Sequence, residues 1–406
     1  VPEFQPFTGI RYNNNRVFLD DVIAPPYDVV NSDDRKNLCQ KSPYNSIKIE
    51  LPNRDLPSGA DPYQQAAREF ASWQLDNILL RDQIPSFYIY RMTFDSPTEV
   101  GQKNHTSGVI GALKLDKTGT MVLPHEQTMP KPKGDRLDLL RASKTNVSPI
   151  WALSLTKGLS AICRSITDSS SPTASAKDED DNQHELWVVS DEAKINEIKN
   201  LVGATPLIIA DGHHRYETAL HYQAEHTVAS NDTSLHAYDY LMTFVVELTK
   251  EELVVRAIHR LISGLENNFD FVDALSSDFE LSDGPDSPIE LERNLHSYNS
   301  MGLITKTKNY FLKPTKLLLE KDETELDSSR LDIALAQLPT HHLTYQHGAN
   351  QIYNAVMTGE AQAGILLRPA TVEQIAATAH LSKRMPPKTT YFHPKPRTGM
   401  VFRPLE

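Results

Sequence analysis

Cysteine is nearly missing from this 406-residue chain, which has only Cys39 and Cys163, far apart in sequence. Two isolated thiols exclude a disulfide framework and a cysteine-rich zinc site, and they make a reducing, cytoplasmic setting the expectation. Long apolar runs are missing as well. Stretches such as Leu207-Ile208-Ile209-Ala210 are a few residues long, against the roughly 20 that a membrane helix requires, so no membrane partner is expected. Positive charge is in deficit: 41 Lys and Arg against 53 Asp and Glu leave a net charge of −12 and a pI of about 5.7. That sign is opposite to the footprint of most nucleic-acid binders, so no nucleic-acid partner is expected either. The common nucleotide and hydrolase signatures are also absent: there is no GxxxxGKS/T, no GxGxxG after a strand, no HExxH and no GxSxG.

What remains is a chain that folds. Hydrophobic residues make up 39% and the mean hydropathy is −0.43, polar for a globular protein but too rich in aliphatic and aromatic residues for global disorder. The length suits two or three domains. Short strands are expected at Ile10–Tyr12 and Arg16–Leu19, followed by a proline-stiffened turn, Ala24-Pro25-Pro26-Tyr27-Asp28-Val29. Asp61-Pro62 reads as N-cap and first turn of a helix with Tyr63, Ala66, Ala67, Phe70 and Trp73 on one face. Strands Phe87–Phe94 and Gly108–Leu115 follow. The Ser-rich, then acidic stretch Thr167–His184 has no apolar residue larger than alanine and is expected to be a mobile surface insertion. A helix capped at Ser190-Asp191, a buried strand Pro206–Ala210 and a helix through Tyr216, Ala219, Leu220 and Ala224 come next. Beyond residue 235 the pattern predicts strands at Leu241–Leu248, Leu253–Ile258, Lys316–Glu320 and Ala363–Leu367, with helices at Ala349–Met357 and Val372–Ala379. The whole reads as α+β, divided into residues 1–118, 119–232 and 233–406.

Three constellations carry chemistry. The sharpest is Asp211-Gly212-His213-His214-Arg215, where a strand gives way to a helix. Such a junction gathers unpaired backbone N–H groups and the positive helix end, glycine permits close approach, and an arginine fork suits phosphate oxygens. Asp211 is equally readable as a simple N-cap, and neighbouring helical histidines point about 100° apart and rarely share one ion. The second is Pro124-His125-Glu126, followed by Lys131, Lys133, Arg136 and Arg141 and then Ser148-Pro149-Ile150. Here Glu126 is a candidate general base and the cations are candidates to offset phosphate charge, the alternative being a solvated helix face. The third is the C-terminal run from Met385 to Gly399; between Leu381 and Glu406 six Lys and Arg stand against one Glu. That asymmetry, stiffened by prolines, marks Lys388 and Lys395 as candidate anion-binding groups or as parts of a solvated basic tail.

The order of a PHE segment, a basic helix, SPI and a strand running into DGHHRYETAL resembles the ParB/sulfiredoxin-like superfamily, and within it the free serine kinases. Over the whole chain, APPYDV, DGHHRYETAL and MPPKTTYFHPKPRTG resemble a widespread related family of unknown function. The resemblance implies an α/β nucleotide-binding core with additional N-terminal and C-terminal α+β segments. It implies catalytic roles for Glu126, Asp211 and His213, with Glu126 as base on a serine hydroxyl. It implies phosphate contacts from Gly212, His214, Arg215, Lys131, Lys133, Arg136, Lys388 and Lys395, and a magnesium ion at Asp211. The expected activity is phosphoryl transfer from ATP or ADP to a small hydroxylated metabolite such as L-serine. The alternative is a nucleotide-binding regulator without that activity.

Overall fold

Strands between Phe4 and Glu247 meet in one sheet. The computed structural model describes every residue except 56, 58, 97–100, 125–132, 230–233 and 381–384. Among the described residues nine strands share this sheet, in the order Val122–Pro124, Leu207–Asp211, Ile150–Ser154, Tyr240–Glu247, Lys103–Lys114, Phe87–Asp95, Gln183–Val189 and Ala174–Lys177, with Phe4–Gln5 paired to the end of Lys103–Lys114. Most pairs are antiparallel, but Leu207–Asp211 runs parallel to Val122–Pro124, and Ile150–Ser154 parallel to Tyr240–Glu247. Alternation sends Phe87, Ile89, Val109, Ile150, Ala152, Leu207, Ile209 and Val245 into one core, where the helices Leu159–Thr167, Glu192–Val202 and His213–Ala229 cover them with Leu159, Ile162, Ile198, Val202, Tyr216 and Ala219.

The described chain divides into two compact units. The first contains residues 1–124, 133–253 and 394–406, and the second is Val254–His393. This replaces the three-part division expected from sequence: residues 1–118 and 119–232 supply neighbouring strands of the same sheet, and Tyr240–Glu247 sits in its middle. Chain return explains the C-terminal residues of the first unit. Arg403–Pro404 pairs with Thr145–Asn146, and Phe402, fully buried, meets Phe70 and Tyr12 edge-on.

Within the second unit, six strands form an antiparallel sheet in the order Phe279–Asp283, Asn309–Pro314, Met301–Ile304, Ala363–Leu366, His259–Ser263 and His342–Gln346. Consecutive residues serve opposite faces. Ile262, Leu303, Leu312 and Ile365 pack with Leu318, Leu331 and Leu335, whereas Leu261, Ile304, Phe311 and Leu366 pack with Ile352 and Val356.

Three local expectations are corrected. Arg16 and Val17 turn back onto the Asn13 carbonyl and lead into the short helix Leu19–Val22, so no strand forms there. Lys316–Lys321 is a helix, not a strand, its start capped by Thr315 Oγ1 accepting from the Leu318 N–H. The stretch Thr167–His184 is built into the sheet: Ala174–Lys177 pairs with Gln183–Val189, which pairs in turn with Phe87–Asp95. Its polar residues are ordered by ion pairs rather than by apolar burial. Asp178 and His184 are fully buried and bond each other at 3.0 Å, and Arg397 closes on Asp178 from the C-terminal segment.

Candidate functional site

The strand Leu207–Asp211 brings its chemistry to a defined end. Leu207, Ile208 and Ile209 are buried, and the register against Ile150–Ser154 shifts between Ile209 and Asp211. A bulge of this kind re-aims the side chain that follows it. Gly212 then takes φ +91°, and a Cβ there would lie 2.8 Å from Ile150 Cγ2, so conformation and space both require glycine. The 17-residue helix His213–Ala229 begins at once, its first bond running from the Tyr216 N–H to the Gly212 carbonyl at 3.0 Å. The helix start therefore places backbone donors and a positive dipole end beside Asp211.

Around this turn three distant segments converge. Asp211 Oδ2 accepts from Arg215 Nη2 at 2.9 Å, and Asp211 Oδ1 lies 2.9 Å from Lys395 Nζ. Lys395 also pairs with Asp28 of the proline-stiffened turn. That turn and the C-terminal segment are held together by reciprocal backbone bonds between Ala24 and Thr398, at 3.0 and 2.8 Å, with Ser46 Oγ donating to the Thr398 carbonyl. Arg215 Nη1 donates to Ser148 Oγ at 3.0 Å and to the Pro149 carbonyl at 2.5 Å. Ser148 Oγ donates onward to Glu50 Oε1 at 3.0 Å, and Arg136 Nη1 bonds the Glu50 carbonyl at 2.7 Å. The Arg136 guanidinium lies over the Tyr27 ring, 4.2 Å from its centroid.

The electrostatics follow from this crowding. Burial pushes the Asp211 carboxyl up, but Lys395 and then Arg215 outweigh it and hold the group well below the usual carboxylate range. Burial opposes the Lys395 charge, and Asp211 and Asp28 overcome it, so the ammonium titrates above its ordinary value. Burial also lifts the Tyr27 phenol, with Arg215 and Arg136 pulling against it. The turn is thus a chain of alternating charges, Asp28, Lys395, Asp211 and Arg215.

Of the residues singled out from sequence, the structure brings Asp211, Gly212, His213, His214 and Arg215 onto this one turn, and joins Lys395 to it directly and Arg136 through Glu50 and Ser148. Glu126 and Lys131 lie outside the described residues; Lys133 opens the helix Lys133–Ser143, and its side chain is likewise outside them. Lys388 belongs to the second unit, at a left-handed position with φ 58°. Arg215 does not present its fork outward: both terminal nitrogens are committed to Ser148, Pro149 and Asp211. A magnesium ion bound by Asp211 does not fit this arrangement. Each carboxylate oxygen already faces a cation, and no cluster of three or more His, Cys, Asp or Glu able to hold a metal occurs among the described residues. Asp211 is built as a counter-ion. The residues missed from sequence are Tyr27, Asp28, Glu50 and Ser148; the stiff APPYDV turn and the SPI segment were visible, but nothing local announced that they meet.

No helix among the described residues is long and apolar enough to cross a membrane. No curated protein sequence matches the chain. Among solved structures, a conserved hypothetical protein from Pyrococcus furiosus aligns at 14% identity over 67% of this chain and 87% of its own, with a TM-score of 0.36. A free serine kinase in complex with AMP aligns at 14% over 67% and 83%, with a TM-score of 0.36. SbnI with a C-terminal truncation, from Staphylococcus aureus, aligns at 9% over 73% and 87%, with a TM-score of 0.40. At these scores the backbones differ broadly. Sequence places the chain more firmly: residues 4–338 match the family described as protein of unknown function (DUF1015), and the chain belongs to that family.

Proposed function

We propose that the Asp211–Arg215 turn seats the phosphates of ATP or ADP and that the protein transfers a phosphoryl group to a small hydroxylated metabolite, with free L-serine the leading acceptor. The observation that carries this reading is Lys395, a nearly buried ammonium held between Asp28 and Asp211 beside the start of a 17-residue helix. A phosphate arriving at the helix start can take the place of one carboxylate as partner of Lys395 and accept from the first backbone N–H groups. Arg215, fixed by Ser148 and Pro149, holds the turn in shape while that exchange occurs. In the transfer itself the acceptor hydroxyl oxygen attacks the terminal phosphorus, the bond to the bridging oxygen breaks, and the hydroxyl proton passes to a base. The resemblance to free serine kinases assigns that base to Glu126, which follows the strand Val122–Pro124, paired at Pro124 with Ile209. Positioning and charge neutralisation are the main demands of such a step.

A second reading is favoured by the same pairing. Because Lys395 is tied to Asp28 on the Ala24–Val29 segment, a phosphate that captures Lys395 loosens that segment, as a nucleotide-sensing regulator would require. The deciding measurement is label transfer from γ-labelled ATP, and separately from β-labelled ADP, to a pool of hydroxylated metabolites including L-serine. A labelled product, lost in Glu126→Gln while nucleotide affinity stays, is the kinase result. Nucleotide binding lost in Asp211→Asn, without any transfer by the wild type, is the regulator result. Neither binding nor transfer overturns both.

A further inference from the structure

The second unit carries a polar cavity of about 320 Å³ with no part in the chemistry above. Its volume falls within the roughly 300–1,000 Å³ of small-molecule sites. The walls come from the start of the helix Asp327–Leu335, the loop Leu367–Thr371 that precedes Val372–His380, and His296 and Asn299, with Ile258, Leu319 and Leu367 forming an apolar side.

Two guanidiniums line it, and their situations differ. Arg368 is fully used: its backbone N–H and Nε bond Asp327 Oδ2 at 3.0 and 2.9 Å, Nη2 bonds Asp327 Oδ1 at 2.6 Å, and Nη1 bonds Asn299 Oδ1. Arg330 is not. Its side chain is only 11% exposed, and its one ion pair runs from Nε to Asp322 Oδ2 at 2.9 Å. Neither Nη group has a hydrogen-bond partner among the described residues. Among these atoms only Nε is buried without a hydrogen bond, so the Nη groups are open to the cavity that Arg330 lines and can donate to a ligand there. Glu325 borders the same cavity, and its carboxylate makes no hydrogen bond or ion pair among the described residues, with Arg330 or any other group. The backbone there is unusual too. Glu325 and Asn299 have φ +59° and +47°, two of six described non-glycine residues with positive φ, a conformation that surrounding structure must impose. The helix Asp327–Leu335 also begins with no side-chain cap.

We infer that this cavity binds a small zwitterion of the free α-amino-acid class, its carboxylate on the Nη groups of Arg330 and its ammonium at Glu325. Charge selects this class over a phosphate. Arg330 and Arg368 are already offset by Asp322 and Asp327, and Glu325 adds a third carboxylate, so a dianion meets net repulsion. A molecule bearing both charges completes both unspent groups and adds no net charge. The inference stands on the second unit alone and does not depend on the Asp211 turn.

The test is calorimetric titration of the full chain with a panel of free L-amino acids, with acetate and inorganic phosphate as controls. The expected result is saturable binding of at least one amino acid at one molecule per chain, weakened about tenfold or more by Glu325→Gln and by Arg330→Lys. Glu325 is exposed and Glu325→Gln conserves its size, so that variant keeps the wild-type thermal midpoint and separates ligand loss from unfolding. No binding of any amino acid at millimolar concentration overturns the inference. So does preferential binding of phosphate, or amino-acid binding that neither substitution changes.

Discussion

Lys395 Nζ lies 2.9 Å from Asp211 Oδ1 while pairing with Asp28, and so ties residues 367 positions apart into one charged cluster. Its side chain is 11% exposed, and its removal leaves the partly buried Asp211 with Arg215 as its one remaining cation. Lys395→Met is expected to cost about 2–4 kcal/mol in denaturant unfolding, Lys395→Arg much less. If the ammonium is also the phosphate contact, Lys395→Met lowers ATP or ADP affinity about tenfold or more by calorimetry. Loss of stability with unchanged nucleotide affinity would make Lys395 structural only.

Acid should destabilise the protein in two stages. Tyr90 OH, His184, Asp178 and Arg397 form a buried line, with Tyr90 OH to His184 Nδ1 at 2.7 Å and His184 Nε2 to Asp178 Oδ2 at 3.0 Å. Burial lowers the His184 pKa below its ordinary 6.5, so between that value and the lower folded one the unfolded chain takes up a proton that the folded chain refuses. Stability then falls with pH, by at most about 1.4 kcal/mol per unit from this group. The second stage belongs to carboxylates. Burial pushes Asp178 up, but the His184 bond and then the Arg397 charge hold it far below its usual value, and Asp211 is depressed likewise. Their contribution is present above the ordinary aspartate range near pH 4 and is lost as pH falls below it. Unfolding midpoints measured from about pH 7.5 to about 2.5 should show both stages, and His184→Gln should remove the first and shrink the second, because it also takes away the bond that holds Asp178 low.

The elements legible in the sequence were those whose local chemistry agrees with their burial. Asp61-Pro62 announced a helix, and Asp61 Oδ1 does accept from the Tyr63 and Gln64 N–H groups. The run into Asp211-Gly212 announced a strand, a polar turn and a helix, because aliphatic residues, glycine and the 3.6 period point the same way there. Where a short apolar run carries no such agreement, as in Lys316–Lys321, strand and helix are not separable by pattern, and a threonine cap decides. Thr167–His184 was misjudged for a different reason. Its ordering rests on Arg397, 219 residues beyond Asp178, and on pairing with Phe87–Asp95. The same holds at the site: Asp28, Glu50 and Ser148 reach Lys395, Arg136 and Arg215 only through tertiary pairing, which no spacing rule encodes.

Gly212→Ala tests whether the turn must keep its shape. At φ +91° an L side chain is strained, and the added Cβ meets Ile150 Cγ2 at 2.8 Å and Arg215 Nε at 3.2 Å. The expected cost is about 1–3 kcal/mol, part from the backbone and part from the clash. Ile150→Ala removes the crowding Cγ2, so Gly212→Ala should cost less in an Ile150→Ala background than in the wild type. A smaller cost there would separate crowding from backbone strain, and a cost near zero in the wild type would mean that the turn accepts another conformation.

Ser148 is the smallest part of the cluster and the most informative. Its hydroxyl accepts from Arg215 Nη1 and donates to Glu50 Oε1, both at 3.0 Å, so one oxygen links the helix that follows Asp211 to the buried Glu50. Ser148→Ala leaves Glu50, 1% exposed, with one fewer donor, and is expected to cost about 1–3 kcal/mol. Glu50→Gln weakens the same link from its other end. If hydroxyl and carboxylate act as a unit, the double variant costs less than the sum of the two single changes, by about 0.5 kcal/mol or more. The cycle also reports on function. Arg215 is committed to Ser148, Pro149 and Asp211, so releasing its Nη1 from Ser148 should loosen the grip on Asp211 and with it the pairing of Lys395. Nucleotide affinity in Ser148→Ala should therefore fall in step with the weakened turn, although Ser148 is not proposed to touch the phosphate. Additive stabilities with wild-type affinity would instead make the linkage a local packing detail, and would leave Lys395 and the helix start as the whole of the phosphate seat.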